Sequence, residues 1–152
     1  MKNILIVGDG IIGMLSAIAL SSIYKNVYIV RRTKRQKYQN KVERFFSINL
    51  LTKYYFMKNN IWKDIVASKT KPYNKIITWD DKIEDDLIFE SSSISYDSLG
   101  YIVKEKSIIN SLLNKLSKIK NIISIDDISI ESINDNANTS RVIFHNNKPI
   151  DL

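Results

Sequence analysis

Residues 4–14 read ILIVGDGIIGM, a short aliphatic run that breaks at a glycine and restarts as helix-forming aliphatics. Gly8, Gly10 and Gly13 satisfy G-x-G-x-x-G, a pattern that carries weight only after a strand and at the opening of a helix. Both flanks meet that condition. Residues 3–7 have the β-branched and leucine content of a strand buried on both faces. Residues 11–24 carry Ile11, Ile12, Met14, Leu15, Ala17, Ile18, Ala19 and Ile23, as a buried helix on a sheet would. Residues 27–30, VYIV, supply a second strand, so residues 1–31 read as a βαβ unit with a parallel pair and a right-handed crossover.

In such a turn the first glycine permits the tight bend, the second lets a pyrophosphate approach the backbone, and the third lets helix and strand pack closely. The anion then rests on free N–H groups at the positive end of the helix. The chain holds four glycines, and three of them are these. In a composition so poor in glycine, that placement is not compositional. Asp9 adds a negative charge beside the expected anion, and the second strand ends on Arg31, where such sites usually keep an acid. From the residues alone, a module for NADP also stays open, with Arg31 and Arg32 meeting a 2′-phosphate.

At 152 residues the chain fits one domain with a core of its own. It is 44% hydrophobic without an apolar run long enough to span a bilayer, and Asp9 interrupts the N-terminal apolar stretch that a signal peptide would need. A cytoplasmic address is therefore expected. Cysteine is absent, which excludes disulfides, a thiolate zinc site and a thiol nucleophile. The net charge of +7 comes from lysines spread along the chain, apart from one dense run, RRTKRQK, at residues 31–37. Aromatics do not interleave with that run as a base-stacking surface requires, so a nucleic-acid partner is not expected.

Beyond the first unit, residues 44–65 carry a helix-like pattern with a turn at Asn59-Asn60, and Tyr54-Tyr55-Phe56 within it reads as core. Residues 75–79 and 86–89 read as two strands joined by an acidic turn, and residues 91–95 as a loop. Residues 106–119 place Ile108, Ile109, Leu112, Leu113, Leu116 and Ile119 at helical spacing. Strand-like segments follow at 122–125, 128–133, 141–144 and 150–152, and the last three read as an antiparallel meander. The final segment stops at the last residue without a polar exit, as if the chain ended inside an element. Asp80, Asp81, Glu84, Asp85 and Asp86 alternate with Lys82 as turn solvation does, and His145 reads as a solvated turn residue. No metal set and no catalytic acid, base or nucleophile is expected.

Three stretches together resemble a known family, the ubiquinone-biosynthesis type of FAD-dependent hydroxylases within the para-hydroxybenzoate hydroxylase-like flavoprotein monooxygenases. They are VGDGIIG at 7–13, RFFSINLLTKYYFMKNNIWKDI at 44–65, and LGYIVKEKSIINSLL at 99–113. The second is similar to the family's arginine-led helix, and the third to its LGYIVEN motif. The resemblance implies that Gly8, Gly10 and Gly13, with backbone from Ile11 and Ile12, hold the FAD pyrophosphate. It sets Arg31 at the position of a ribose-binding glutamate, so restoring an acid there is expected to tighten FAD. It makes Arg44 the cofactor-contacting arginine and lets residues 101–104 line the cofactor groove, with Lys104-Glu105 replacing the family's Glu-Asn.

The fold implied is α/β: a Rossmann-like FAD-binding fold with a βαβ start, a parallel sheet and a C-terminal three-stranded antiparallel meander, incomplete relative to the family. Residues 1–152 would be the N-terminal part of an FAD-binding domain, with strands inserted from a substrate-side sheet at 75–98 and a strand plus meander at 122–152. The expected activity is aromatic-ring hydroxylation of a polyprenylated phenol, with NADPH as a reductant the family admits. A remnant without activity is the alternative. Peripheral membrane contact or a complementing chain is compatible with the same resemblance.

Overall fold

The structure, a computed structural model, describes residues 2–31, 43–67, 70–81, 85–126, 129–136, 139–145 and 149–152. Most of the basic run, from Arg32 onward, lies outside the described residues, as do Lys82 and Glu84. The chain begins β1 (Ile4–Val7), α1 (Ile11–Leu20), β2 (Val27–Arg31), β3 (Phe45–Asn49), α2 (Leu50–Lys58) and α3 (Trp62–Val66). It continues with β4 (Lys71–Tyr73), β5 (Lys75–Thr78), β6 (Leu87–Glu90), a 3-10 turn at Ser91–Ile94, β7 (Gly100–Lys104) and α4 (Glu105–Leu116). It closes with β8 (Ile122–Asp126), β9 (Ile130–Asp135), β10 (Ser140–Phe144) and β11 (Ile150–Asp151). These divide into two compact units, one of Met1–Lys41 with Leu112–Leu152 and one of Val42–Ser111.

The first unit holds a parallel sheet in the order β1-β2-β8. Ile4 to Val7 pair in register with Val27 to Val30, and Val27 to Arg31 pair with Ile122 to Asp126. The parallel pair expected from residues 1–31 is present, and β8 extends it. Val27, Ile29 and Val30 are buried, as a central strand requires. Helix α1 buries Met14, Ala17 and Ile18, one face at i, i+3 and i+4 spacing. It is not buried all round: Ile12 is 75% exposed and Ile23, just past the helix, 63%. The Asn121 side chain donates to the carbonyls of Ser21 and Tyr24, at 2.8 and 3.1 Å, and so ties the exit of α1 to the start of β8.

The same unit carries the antiparallel meander, in the order β11-β10-β9. Val142 and Phe144 on β10 are buried with Val30, and Leu5, Ile125, Ile130, Ile150 and Leu152 pack around them. The two sheets therefore share one core.

In the second unit β3, β7 and β4 form an antiparallel sheet in the order β3-β7-β4, and β5 pairs with β6 as a separate hairpin. The hairpin matches the sequence reading. Residues 45–49 do not, being strand where a helix was expected. The reason is local: Phe46 and Ile48 turn inward while Phe45, Ser47 and Asn49 are exposed, a period of two. Asn49 then accepts a hydrogen bond from the Thr52 N–H at 2.8 Å, an N-cap that starts α2 only at Leu50. Strands β4 and β7 also went unread. β4 is three residues long and contains Pro72, which an edge strand tolerates.

The break at residues 59–60 is where it was expected, with Asn60 at φ +56°. Phe56, Ile61 and Ile65 flank it in sequence and are buried, and Ile48 and Val103 of the same unit are buried too. Of the aromatic triplet only Phe56 is core, Tyr54 being 63% exposed. Helix α4 crosses the division between the units and buries Ile108, Ser111 and Leu112. Among the described residues, no helix is long and apolar enough to cross a membrane.

Candidate functional site: the glycine turn and its charged rim

The turn between β1 and α1 is built by two glycines with different tasks. Gly8 sits at φ +112°, a conformation that side chains disfavour, while its N–H still donates to the Val30 carbonyl at 3.1 Å. Gly13 has no room for a side chain, because a Cβ there would collide with the Gly8 carbonyl oxygen. Gly10 is the N-cap of α1 with ordinary extended backbone, φ −69° and ψ 176°, and open space above it.

The first helical bond of α1 runs from the Met14 N–H to the Gly10 carbonyl, 2.9 Å. The N–H groups of Ile11, Ile12 and Gly13 precede it, so they have no partner within the helix. That end of the helix is suited to an anion. Gly8, Gly10, Ile11, Ile12 and Gly13 are thus gathered in one turn.

Beside the turn lies a pocket of about 320 Å³, whose lining includes Asp9, Met14, Ile29, Arg31, Leu116 and Ser124. Arg31 does not project as a lone cation. Its Nε lies 3.7 Å from Asp9 Oδ2 and 3.5 Å from Asp126 Oδ1. The Asp9 side chain is 16% exposed and that of Asp126 63%, so the guanidinium links an inner carboxylate to an outer one. The guanidinium is thus shared between two carboxylates, which weakens the pull that Arg31 alone would exert on a 2′-phosphate. Asp126 was missed in the sequence. The signal available was an acid at the end of the strand that follows the α4 pattern; what the sequence could not give was the identity of that strand's neighbour.

Arg44 belongs to the second unit. It lies just before β3 rather than at a helix start, and Glu105 N–H donates to its carbonyl at 2.9 Å. Its Nη1 stands 3.3 Å from Glu105 Oε1, and its guanidinium lies 5.7 Å from the Phe46 ring centre. At the same end of the strand pair, Lys104 contacts Glu43 at 2.8 Å. On the neighbouring part of β7, the Lys53 ammonium donates to the Tyr101 hydroxyl at 2.8 Å, and Trp62 meets the Tyr101 ring edge-on with centres 5.2 Å apart. The hydrogen bond from Lys53, with a second from Ser98, lowers the Tyr101 phenol below its usual pKa. His145 is an exposed turn residue. Among the described residues, no three His, Cys, Asp or Glu side chains are grouped as metal ligands would be.

The chain is 26% identical, over 149 residues, to the mitochondrial ubiquinone biosynthesis monooxygenase COQ6 of Dictyostelium discoideum, a match covering 88% of this chain and 30% of that protein. The chain is similar to the ubiquinone-biosynthesis monooxygenases. It spans about 30% of the length of that curated relative. No family model matches.

Among solved structures, PqsL of Pseudomonas aeruginosa, "a probable FAD-dependent monooxygenase", superposes with a TM-score of 0.72 at 16% identity, over 97% of this chain and 39% of that one. The p-nitrophenol 4-monooxygenase PnpA of Pseudomonas putida superposes with a TM-score of 0.67 at 12% identity, over 99% and 38%. At such identities the likeness is one of fold: a mixed α/β chain with a parallel sheet and antiparallel strands.

Proposed function

We propose that this chain is the nucleotide-holding part of an FAD-dependent aromatic-ring hydroxylase of the ubiquinone-biosynthesis type, with a Rossmann-like β1-α1-β2-β8 core. The observation that carries the reading is the glycine turn: Gly8 at positive φ, Gly13 pressed on Gly8, and Gly10 open above a helix N-terminus. The match to a ubiquinone biosynthesis monooxygenase over 88% of the chain, together with the fold likeness to a probable FAD-dependent monooxygenase, supports the choice of flavin over nicotinamide.

The residues fit the adenosine end of such a cofactor. The N–H groups of Ile11, Ile12 and Gly13 would take the pyrophosphate oxygens, and Gly10 keeps their approach clear. The apolar lining of Leu113, Leu116 and Ile119, which are only partly buried, suits a purine ring, and at about 320 Å³ the pocket is sized for that end of the molecule rather than the whole. Arg44, in the second unit, keeps only the cofactor-contacting role that the resemblance implies, and Glu105 Oε1 lies 3.3 Å from its guanidinium. A bound flavin would supply the reaction with oxygen, and the protein the binding and orientation. The substrate class that goes with this reading is a small phenol bearing a polyprenyl chain. The NADP reading loses its main support, because Arg31 is already engaged by Asp9 and Asp126.

Two substitutions test the turn. Gly10→Val costs only about 1 kcal/mol as a weaker N-cap, since a Cβ there meets nothing within 4 Å. It should nevertheless abolish FAD binding measured by flavin fluorescence. Gly13→Ala should instead lower stability by about 1–3 kcal/mol, as an overpacked contact does. A Gly10→Val chain that binds FAD as tightly as wild type would sink the proposal.

A further inference from the structure

We propose that Asp126 is the residue that accepts the hydroxyls of the adenosine ribose, and that Arg31 positions it. The proposal rests on the nucleotide reading above and deepens it. Residue 31 is where a ribose-binding acid is expected, yet an arginine has only donors and cannot accept a hydroxyl hydrogen bond. The parallel register sets Asp126 directly beside Arg31, at the same end of the neighbouring strand. Adjacent strands lie about 4.8 Å apart, so the required carboxylate has moved by one strand and not away from the site.

The side-chain direction agrees. Ile122 and Ser124 on β8 line the pocket, as do Ile29 and Arg31 on β2. Residues two apart on a strand share a face, so Asp126 continues the row that Ile122 and Ser124 begin. Its carboxylate is 63% exposed and meets Arg31 through Oδ1, so most of its acceptor sites face outward.

Arg31 has a second consequence. Asp9 lies inside the turn expected to hold a pyrophosphate, and a carboxylate there repels the ligand. The guanidinium 3.7 Å away offsets that charge. The two departures at positions 9 and 31 thus act as one exchange, with Asp126 supplying what position 31 gave up.

The test uses the 152-residue chain, its Asp126→Ala variant, and three probes: FAD, adenosine 5′-diphosphate and 2′-deoxyadenosine 5′-diphosphate, each titrated calorimetrically. Wild type should prefer the ribose form over the deoxyribose form by about tenfold, the usual scale of a hydrogen bond to a charged group. Asp126→Ala should bring that preference to within about twofold, with an unchanged circular dichroism spectrum. The preference is a ratio within one protein and does not depend on the folded fraction. FAD binding by wild type with the ribose preference intact in Asp126→Ala, or with no preference at all, overturns the role of Asp126 and leaves the flavin reading standing. Failure of wild type to bind any of the three overturns both.

Discussion

At the scale of single residues, the positions that depart from the pattern of the family that the chain resembles come with partners. Asp9 and Arg31 form one ion pair, Lys104 and Glu43 a second, and Glu105 and Arg44 a third. These pairs set a second expectation for Arg31 against the first. From the sequence, an acid at position 31 should improve FAD binding; in the structure, Arg31→Glu would set three carboxylates together, at 9, 31 and 126. We expect that variant to bind FAD at least about tenfold more weakly, about 1.4 kcal/mol, and to melt at a lower temperature; calorimetry that finds tighter binding would restore the original expectation. The glycines were legible in the sequence because their roles are fixed by local backbone geometry. Asp126 was not, because its role depends on which strand β8 lies against, and that is decided about a hundred residues away from β2.

Elements show where periodicity misleads. In residues 44–65 the spacing of Phe46, Leu50, Leu51, Tyr54 and Tyr55 suits one broken helix if no boundary is drawn. Asn49 is that boundary, and the alternation of Phe46 and Ile48 before it belongs to a strand. β7 was hidden in a motif read for its resemblance rather than for its alternation. The meander, by contrast, was announced by its turn residues.

Its last pairing is held by a side-chain clasp. Arg141 Nε and Nη2 donate to the two Asp151 carboxylate oxygens at 2.6 and 3.0 Å. Those hydrogen bonds hold the Asp151 carboxyl below its ordinary pKa and the Arg141 guanidinium above its own. A carboxylate lowered in the folded state contributes stability above its unfolded pKa and loses it as pH falls through the folded value. The β10–β11 pairing should therefore loosen only in acid, below the usual carboxylate range. Amide exchange at Val142 and Leu152 followed against pH would show it, and protection that is flat through that range would refute it.

At the scale of the whole molecule, the α/β class and the parallel-then-antiparallel order were legible, because buried strands and glycine turns leave local marks. The division into two units was not, since the first is assembled from both ends of the chain. The β5–β6 hairpin of the second unit bears on how the chain behaves in a tube. Ile76 faces Phe89 and Ile77 faces Ile88 across its two faces. These four are 40–48% exposed, Leu87 is 59% and Trp79 74%, and among the described residues no third strand joins the pair.

A two-stranded ribbon with apolar pairs on both sides and both edges open is a template for further strands. The chain should therefore self-associate as its concentration rises, visible as increasing light scattering, and the double substitution Ile77→Lys with Phe89→Lys should suppress this without lowering the melting temperature. Solubility, more than stability, would then limit how the isolated chain can be handled.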